Sequence, residues 1–413
     1  MPFLPARILA ELGVWMPSEA LGQMTDRISG RAVFAVIVLL VLFGMGAALA
    51  PAAWKAAESV GVGEAPAALR AKLPEQFPCK YWFVDLNGGA CRVAGRRLCN
   101  DRMLCADGSL DAMCAADGPS VDRFVESTAG LADSIRQLGM PFLYVQAPCK
   151  RPLEGGLTPA GWPSFNINDE ALRAVSELKG RGVRTLDLVR TLAGRRKDAA
   201  TNFYHTDHHW RGRAAFKAAK LVSRELADVL GDDSLRSPPQ LKVENWERRV
   251  EKGAFLGSHG RRTGRFFAGT DDFEYFVPKF KTNIWRYMYG KLYAYGEFEK
   301  SVLDMRFLSR ELHERNAYGV YGTDRNEVIY VNKRPRSQAK LLFVKDSYAN
   351  PVVDFLSTVC REVVKVDPRR CESREELLRI VEKHRPDAVV MLVHPVAMRN
   401  EKFVFAEKVA KTL

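Results

Sequence analysis

Two short stretches of this chain carry residue types that could do chemistry: "NFYHTDHHW" at 202–210 and "KDSYAN" at 345–350. The first holds three of the seven histidines, His205, His208 and His209, with Asp207 among them. Such a set can ligate a metal through its nitrogen and oxygen donors, or it can move protons. In an extended backbone residues i and i+2 share a side, so Asp207 and His209 are expected to project together and His208 away from them. A carboxylate beside an imidazole orients the ring and stabilises its protonated form. The second stretch offers Ser347, whose hydroxyl is a poor nucleophile until a base takes its proton. His209 is the base that the chain offers it. Taken singly each motif is weak, because an Asp-Ser pair at a strand end is more often a capped turn.

These residues need elements to position them. Apolar period and breakers predict helices over 121–139, 169–182, 211–231, 351–361 and 373–384. They predict strands over 140–148, 184–188, 340–344, 362–367 and 387–393. Helix alternating with apolar strand defines an α/β fold with a mostly parallel sheet covered on both faces. In such sheets ligands collect at the carboxyl ends of strands, where Ser347 would lie. Asn350 is a good N-cap and Pro351 suits a first helical turn, so a helix is expected to begin just past the serine. Its unpaired N–H groups would then favour an oxyanion. Residues 232–338 break the rhythm with polar, aromatic, turn-rich sequence, and read as an insertion over the active face.

Together, Y-x-T-D-H-H-W before a helix, then "GSHGRR" at 257–262, then "KDSYAN" resemble the DHHW protein family. That family is similar to SGNH hydrolases and related to the bacterial alginate O-acetylation proteins. The resemblance spans roughly residues 120–400. It implies a flavodoxin-like three-layer sandwich with a Ser-His-Asp triad, mapping onto Ser347, His209 and Asp207. It also implies an oxyanion hole, for which Gly257, Ser258 and Asn350 are the candidates, and an anion-binding role for Arg261. Tyr204, His208, Trp210 and Asp346 would support these residues from behind. No cofactor is implied.

The rest of the chain sets the context. Residues 32–53 run 22 positions without a charge between Arg31 and Lys55, long enough to span a bilayer as a helix. With Trp54 as an interfacial anchor, 32–54 is expected to be an uncleaved transmembrane signal anchor. Residues 1–31 would be cytoplasmic, 55–118 a Cys-rich stalk, and 119–413 an extracytoplasmic catalytic domain, periplasmic or extracellular. All eight cysteines follow the anchor, five of them within 79–114, which in an oxidising compartment suggests disulfides. The net charge of +13 favours acidic partners such as anionic polysaccharide, nucleic acid or lipid headgroups. The basic residues are scattered as on a generic positive surface, however, and no nucleic-acid-binding signature accompanies them.

The sequence therefore points to a serine-dependent O-acetyltransferase or acetylesterase acting on a cell-surface or exported polysaccharide. One apolar span cannot carry an acyl group across a membrane, so a transferase would need a membrane partner that delivers it. Two other readings stand beside this one. The first is a metal-dependent hydrolase built on His205, Asp207, His208 and His209. The second is a non-catalytic glycan-binding or assembly module on a degenerate SGNH fold.

Overall fold

A computed structural model describes residues 80–404, apart from 113–119, 160–161, 163–164, 309–310, 315 and 323–326. The expected cytoplasmic segment, the 32–54 anchor and much of the stalk lie outside the described residues. Among those described, no helix is long and apolar enough to cross a membrane. The chain divides into two units after Phe83, and both candidate motifs belong to the unit from Val84 onward.

Strands β1 (Leu98–Cys99), β2 (Arg102–Leu104) and β3 (Leu110–Ala112) form a small antiparallel sheet. The main sheet takes β4 (Phe142–Gln146) and β5 (Arg184–Asp187). β6 (Trp246–Phe255) and β7 (Asp271–Pro278) pair as a separate ribbon. The main sheet is completed by β8 (Ile284–Met288), β9 (Lys291–Gly296), β10 (Glu327–Asn332), β11 (Ser337–Lys345), β12 (Cys360–Val366) and β13 (Ala388–Val393). Its order is β5-β4-β13-β11-β12-β10-β8-β9. The stretch from β5 to β12 is parallel throughout. Beyond β12 the pairing turns antiparallel.

The sheet is thus mixed, and the departure from a mostly parallel one has a clear source. Residues 232–338 do not merely lie over the active face. They supply β8, β9 and β10, which widen the sheet on one side. Their hydrophobic period is interrupted by turns and by charged edge positions, so no helix-strand rhythm announces them.

Strand residues alternate between two cores, as the two-residue period of a strand requires. Leu143, Val145, Leu341, Phe343, Val390 and Leu392 face the helices Gly212–Leu230 and Ala349–Leu356. Tyr144, Leu342, Val344, Val389 and Met391 face Val121–Gln137, Ile167–Gly180 and Arg374–His384. Because both faces are covered, these strands read as continuous apolar runs. Gly231, in the left-handed region at φ 65°, ends the helix after the histidine motif.

The six described cysteines, Cys91, Cys99, Cys105, Cys149, Cys360 and Cys371, are buried with no disulfide among them, so the expected bridges find no support in these residues. They pack as small apolar side chains. Cys79 and Cys114 lie outside the described residues.

Candidate active site

Residues 203–210 form a closed loop, not an extended strand. Phe203 and Trp210 pair across its neck, and the Tyr204 N–H donates to the His209 carbonyl at 3.3 Å. A buried lysine fills its centre. Lys150 Nζ donates to the carbonyls of Tyr204, His205 and Asp207 at 3.2, 3.1 and 3.0 Å. From outside, Asp271 accepts the His205 and Thr206 N–H groups at 3.0 and 2.7 Å and the Thr206 hydroxyl at 2.8 Å. A loop that buries this many backbone polar groups must find partners for them, and Lys150 and Asp271 are those partners.

Within this frame Asp207 is fully buried. Its Oδ1 accepts the His209 backbone N–H at 2.8 Å and meets His209 Nδ1 at 2.5 Å. His209 Nε2 lies 2.7 Å from Ser347 Oγ, across 138 residues of sequence. Burial alone would raise the Asp207 pKa. The facing His208 and His209 rings, with hydrogen bonds from His209 and the Ser258 N–H, hold it well below the ordinary carboxylate value instead. An ionised Asp207 can only accept, so His209 Nδ1 carries the proton and Nε2 accepts from the serine hydroxyl. The His209 ring also stacks on Tyr318 at 3.8 Å.

The "GSHG" stretch fits against the aspartate. A Cβ on Gly257 would come within 2.2 Å of Asp207 Cβ and 2.6 Å of the Thr206 carbonyl, so only glycine permits this approach. The approach delivers the Ser258 N–H to Asp207 Oδ2 at 2.5 Å. Ser258 Oγ lies 2.8 Å from His208 Nδ1.

Ser347 sits between the end of β11 and the helix Ala349–Leu356, half-buried. It opens into a cavity of about 300 Å³ at the carboxyl ends of the neighbouring strands β4, β11 and β13. Cys149, Lys150 and Arg151 line it from the end of β4, His394 from the end of β13, and Ile167, Val396 and Phe403 supply an apolar wall. Asn168 ties the β4 end in place: it accepts the Cys149 N–H at 2.8 Å and donates to the Cys149 and Arg151 carbonyls. Asp346 braces the serine turn, accepting the Tyr348 N–H at 2.9 Å and the His394 N–H at 2.6 Å. Trp210, fully buried, packs on Tyr348 with ring centroids 5.1 Å apart, and Tyr204 is buried against Phe255.

Several expectations are corrected by this geometry. His208 does not point away, because the loop bends; its ring lies 3.9 Å from that of His209 and lines the cavity. Burial and the neighbouring His209 push its pKa down. Gly257 is no oxyanion donor, since its N–H donates to Thr206 Oγ1 at 3.0 Å. The Ser258 N–H is likewise taken by Asp207. Asn350 lies inside the helix, not at its cap, and its amide donates to the Gly322 carbonyl at 3.3 Å. Arg261 is half-buried away from the cavity wall, where Arg151 and Arg369 stand instead. His205 is exposed and outside the group formed by Asp207, His208 and His209.

The sheet, its helices and the cavity at the strand ends define an α/β protein of SGNH-like fold. Residues 114–265 match the family model described as SGNH hydrolase-like domain, acetyltransferase AlgX. A DHHW family protein from Eubacterium siraeum superposes with a TM-score of 0.55 at 17% identity, covering 74% of this chain and 94% of its own. PatB1 of Bacillus cereus, determined with a sulfonyl adduct, gives 0.56 at 16% identity, covering 73% and 97%. At these identities the likeness is one of fold. A comparison with curated proteins finds no match.

Proposed function

We propose that this chain is a serine-dependent O-acetyltransferase or acetylesterase acting on a cell-surface or exported polysaccharide outside the cytoplasm. The observation that carries the reading is the unbroken hydrogen-bond chain from Ser347 Oγ through His209 to Asp207 and the Ser258 N–H. The match to a family described as an acetyltransferase supports the acyl group. The polysaccharide comes from the resemblance to alginate O-acetylation proteins.

In this mechanism His209 Nε2 takes the hydroxyl proton as Ser347 Oγ bonds to the acyl carbon. The carbonyl electron pair moves onto oxygen, giving a tetrahedral anion. His209 then returns its proton to the departing group, leaving acyl-Ser347. A sugar hydroxyl or a water, deprotonated in turn by His209, resolves that ester and sets transfer against hydrolysis. Asp207 keeps the Nδ1 proton in place and offsets the charge on the imidazolium. The apolar side of the cavity, Ile167, Val396 and Phe403, suits the methyl of an acetyl group.

The metal reading fares less well for a specific reason. His209 has both ring nitrogens engaged, and His208 Nδ1 is committed to Ser258. A cation ligated by His209 would have to displace its bond to Asp207 or to Ser347.

The test is hydrolysis of a chromogenic acetyl ester by the full chain, beside Ser347→Ala and His209→Ala. Each variant should lose at least about a thousandfold in kcat. Unchanged activity in both would sink the proposal, and abolition by a chelator would favour the metal reading.

A further inference from the structure

Three histidines that line the cavity, His208, His259 and His394, lie outside the Ser347–His209–Asp207 chain. His394 directly follows β13, which neighbours β11 in the sheet, and lines the same cavity as Ser347. It is fixed to the residues on both sides of the serine. Its backbone N–H donates to Asp346 Oδ2 at 2.6 Å, and its ring stacks on Tyr348 at 4.3 Å with 21° between planes.

Its tautomer follows from one contact. His394 Nδ1 accepts the Val396 N–H at 3.3 Å, and a ring nitrogen that accepts carries no proton. The proton therefore sits on Nε2, which finds no protein acceptor among the described residues. Burial, and then the nearby His208 and His209, push the His394 pKa well below its ordinary value, so the ring is neutral near pH 7. Neutrality matters here. An imidazolium at this place would oppose the positive charge that His209 gains when it takes the serine proton.

Acyl transfer needs donors where the carbonyl oxygen becomes negative. The Ser347 N–H donates to no backbone acceptor among the described residues, which leaves it for that oxygen. Gly257, Ser258 and Asn350, expected to complete the donor set, are committed to Thr206, Asp207 and Gly322. From this arrangement we infer that His394 Nε2–H is the side-chain donor of the oxyanion hole, acting beside the Ser347 N–H. The inference rests on the acyl-serine reading. His394 gives up no proton at this step: as the Oγ–C bond forms and His209 takes the serine proton, the carbonyl oxygen gains the carbonyl pair and the His394 Nε2–H bond to it strengthens. When the leaving group departs the pair returns and the bond weakens.

The experiment compares full-length wild type, His394→Phe, His394→Gln and Ser347→Ala on a chromogenic acetyl ester, with melting temperatures taken alongside. Phenylalanine keeps the stacking on Tyr348 without the donor, whereas glutamine keeps an N–H donor. The Phe variant should lose about a hundredfold in kcat with KM nearly unchanged, and Gln should recover at least about a tenth of wild-type kcat. Phe activity close to wild type, or equal losses in Phe and Gln, would overturn the assignment. If the Phe variant does not fold, His394→Leu, also without a donor, carries the same comparison. Failure of the underlying reading looks different: Ser347→Ala would then match wild type, and the His394 assignment would fall with it. An inactive Ser347→Ala beside a fully active His394→Phe refutes the oxyanion role alone.

Discussion

Asp207 shows how a buried charge is made tolerable. An isolated carboxylate in an apolar interior is costly, yet this one accepts two hydrogen bonds from His209 and one from the Ser258 N–H. Its folded pKa is lowered, which fixes the sign of its linkage. The stability it contributes is fully present above the unfolded value, about 3.9, and is lost as pH falls through the lower folded value. Melting curves of wild type and Asp207→Asn should therefore differ by a constant amount from pH 7 to 5, and the gap should narrow below about pH 4. The same variant should fold but lose roughly 10²- to 10⁴-fold in kcat, because an amide can present its N–H to Nδ1 and trap the wrong tautomer. At this scale the sequence was informative where chemistry depends on short spacing. Asp207 and His209 are two residues apart, and Ser347 follows an apolar strand. Ser258 and His394 carried no such signal, because their contacts depend on a loop bend and on strand neighbours far apart in sequence.

At the scale of elements, the site depends on a loop held open from within and a glycine held close from without. Lys150 satisfies three carbonyls of the 203–210 loop. Lys150→Met should lower stability by about 3 kcal/mol, since buried carbonyls left without donors cost about 1–3 kcal/mol each. It should also depress kcat, as the Asp207–His209 geometry relaxes; chemical denaturation and ester hydrolysis measure the two effects separately. Gly257→Ala should be more damaging to activity than to fold, because the added carbon strikes Asp207 itself. Most helices and parallel strands were legible from apolar period. Among the elements not legible were β8, β9 and β10, whose half-exposed residues such as Trp285, Tyr287 and Ile329 alternate without long apolar runs. The sequence could not say that these strands join the main sheet, because that pairing is decided by packing against β12 and not by any local pattern.

For the molecule as a whole, two deeply buried imidazoles shape the response to acid. His259 and His394 both have folded pKa values held well below the ordinary histidine value, by burial first. The His208 pKa is lowered too, by burial first, so on the acid side of about pH 6.5 the unfolded chain binds more protons at these histidines than the folded one. Stability should decrease as pH falls through that range, each such imidazole adding a slope of up to about 1.4 kcal/mol per pH unit, and His394→Gln should remove its share. A pH series of denaturant melts reads this slope directly. The six described cysteines, buried and in no disulfide, should resist thiol reagents until the chain unfolds. The central claim, that Ser347 is the nucleophile and His209 its base, is tested most directly by treating the full chain with a sulfonyl fluoride and mapping the adduct by mass spectrometry. A single sulfonyl group on Ser347 is expected in wild type, and none after His209→Ala. Modification of another residue, or undiminished labelling of Ser347 without His209, would contradict the claim.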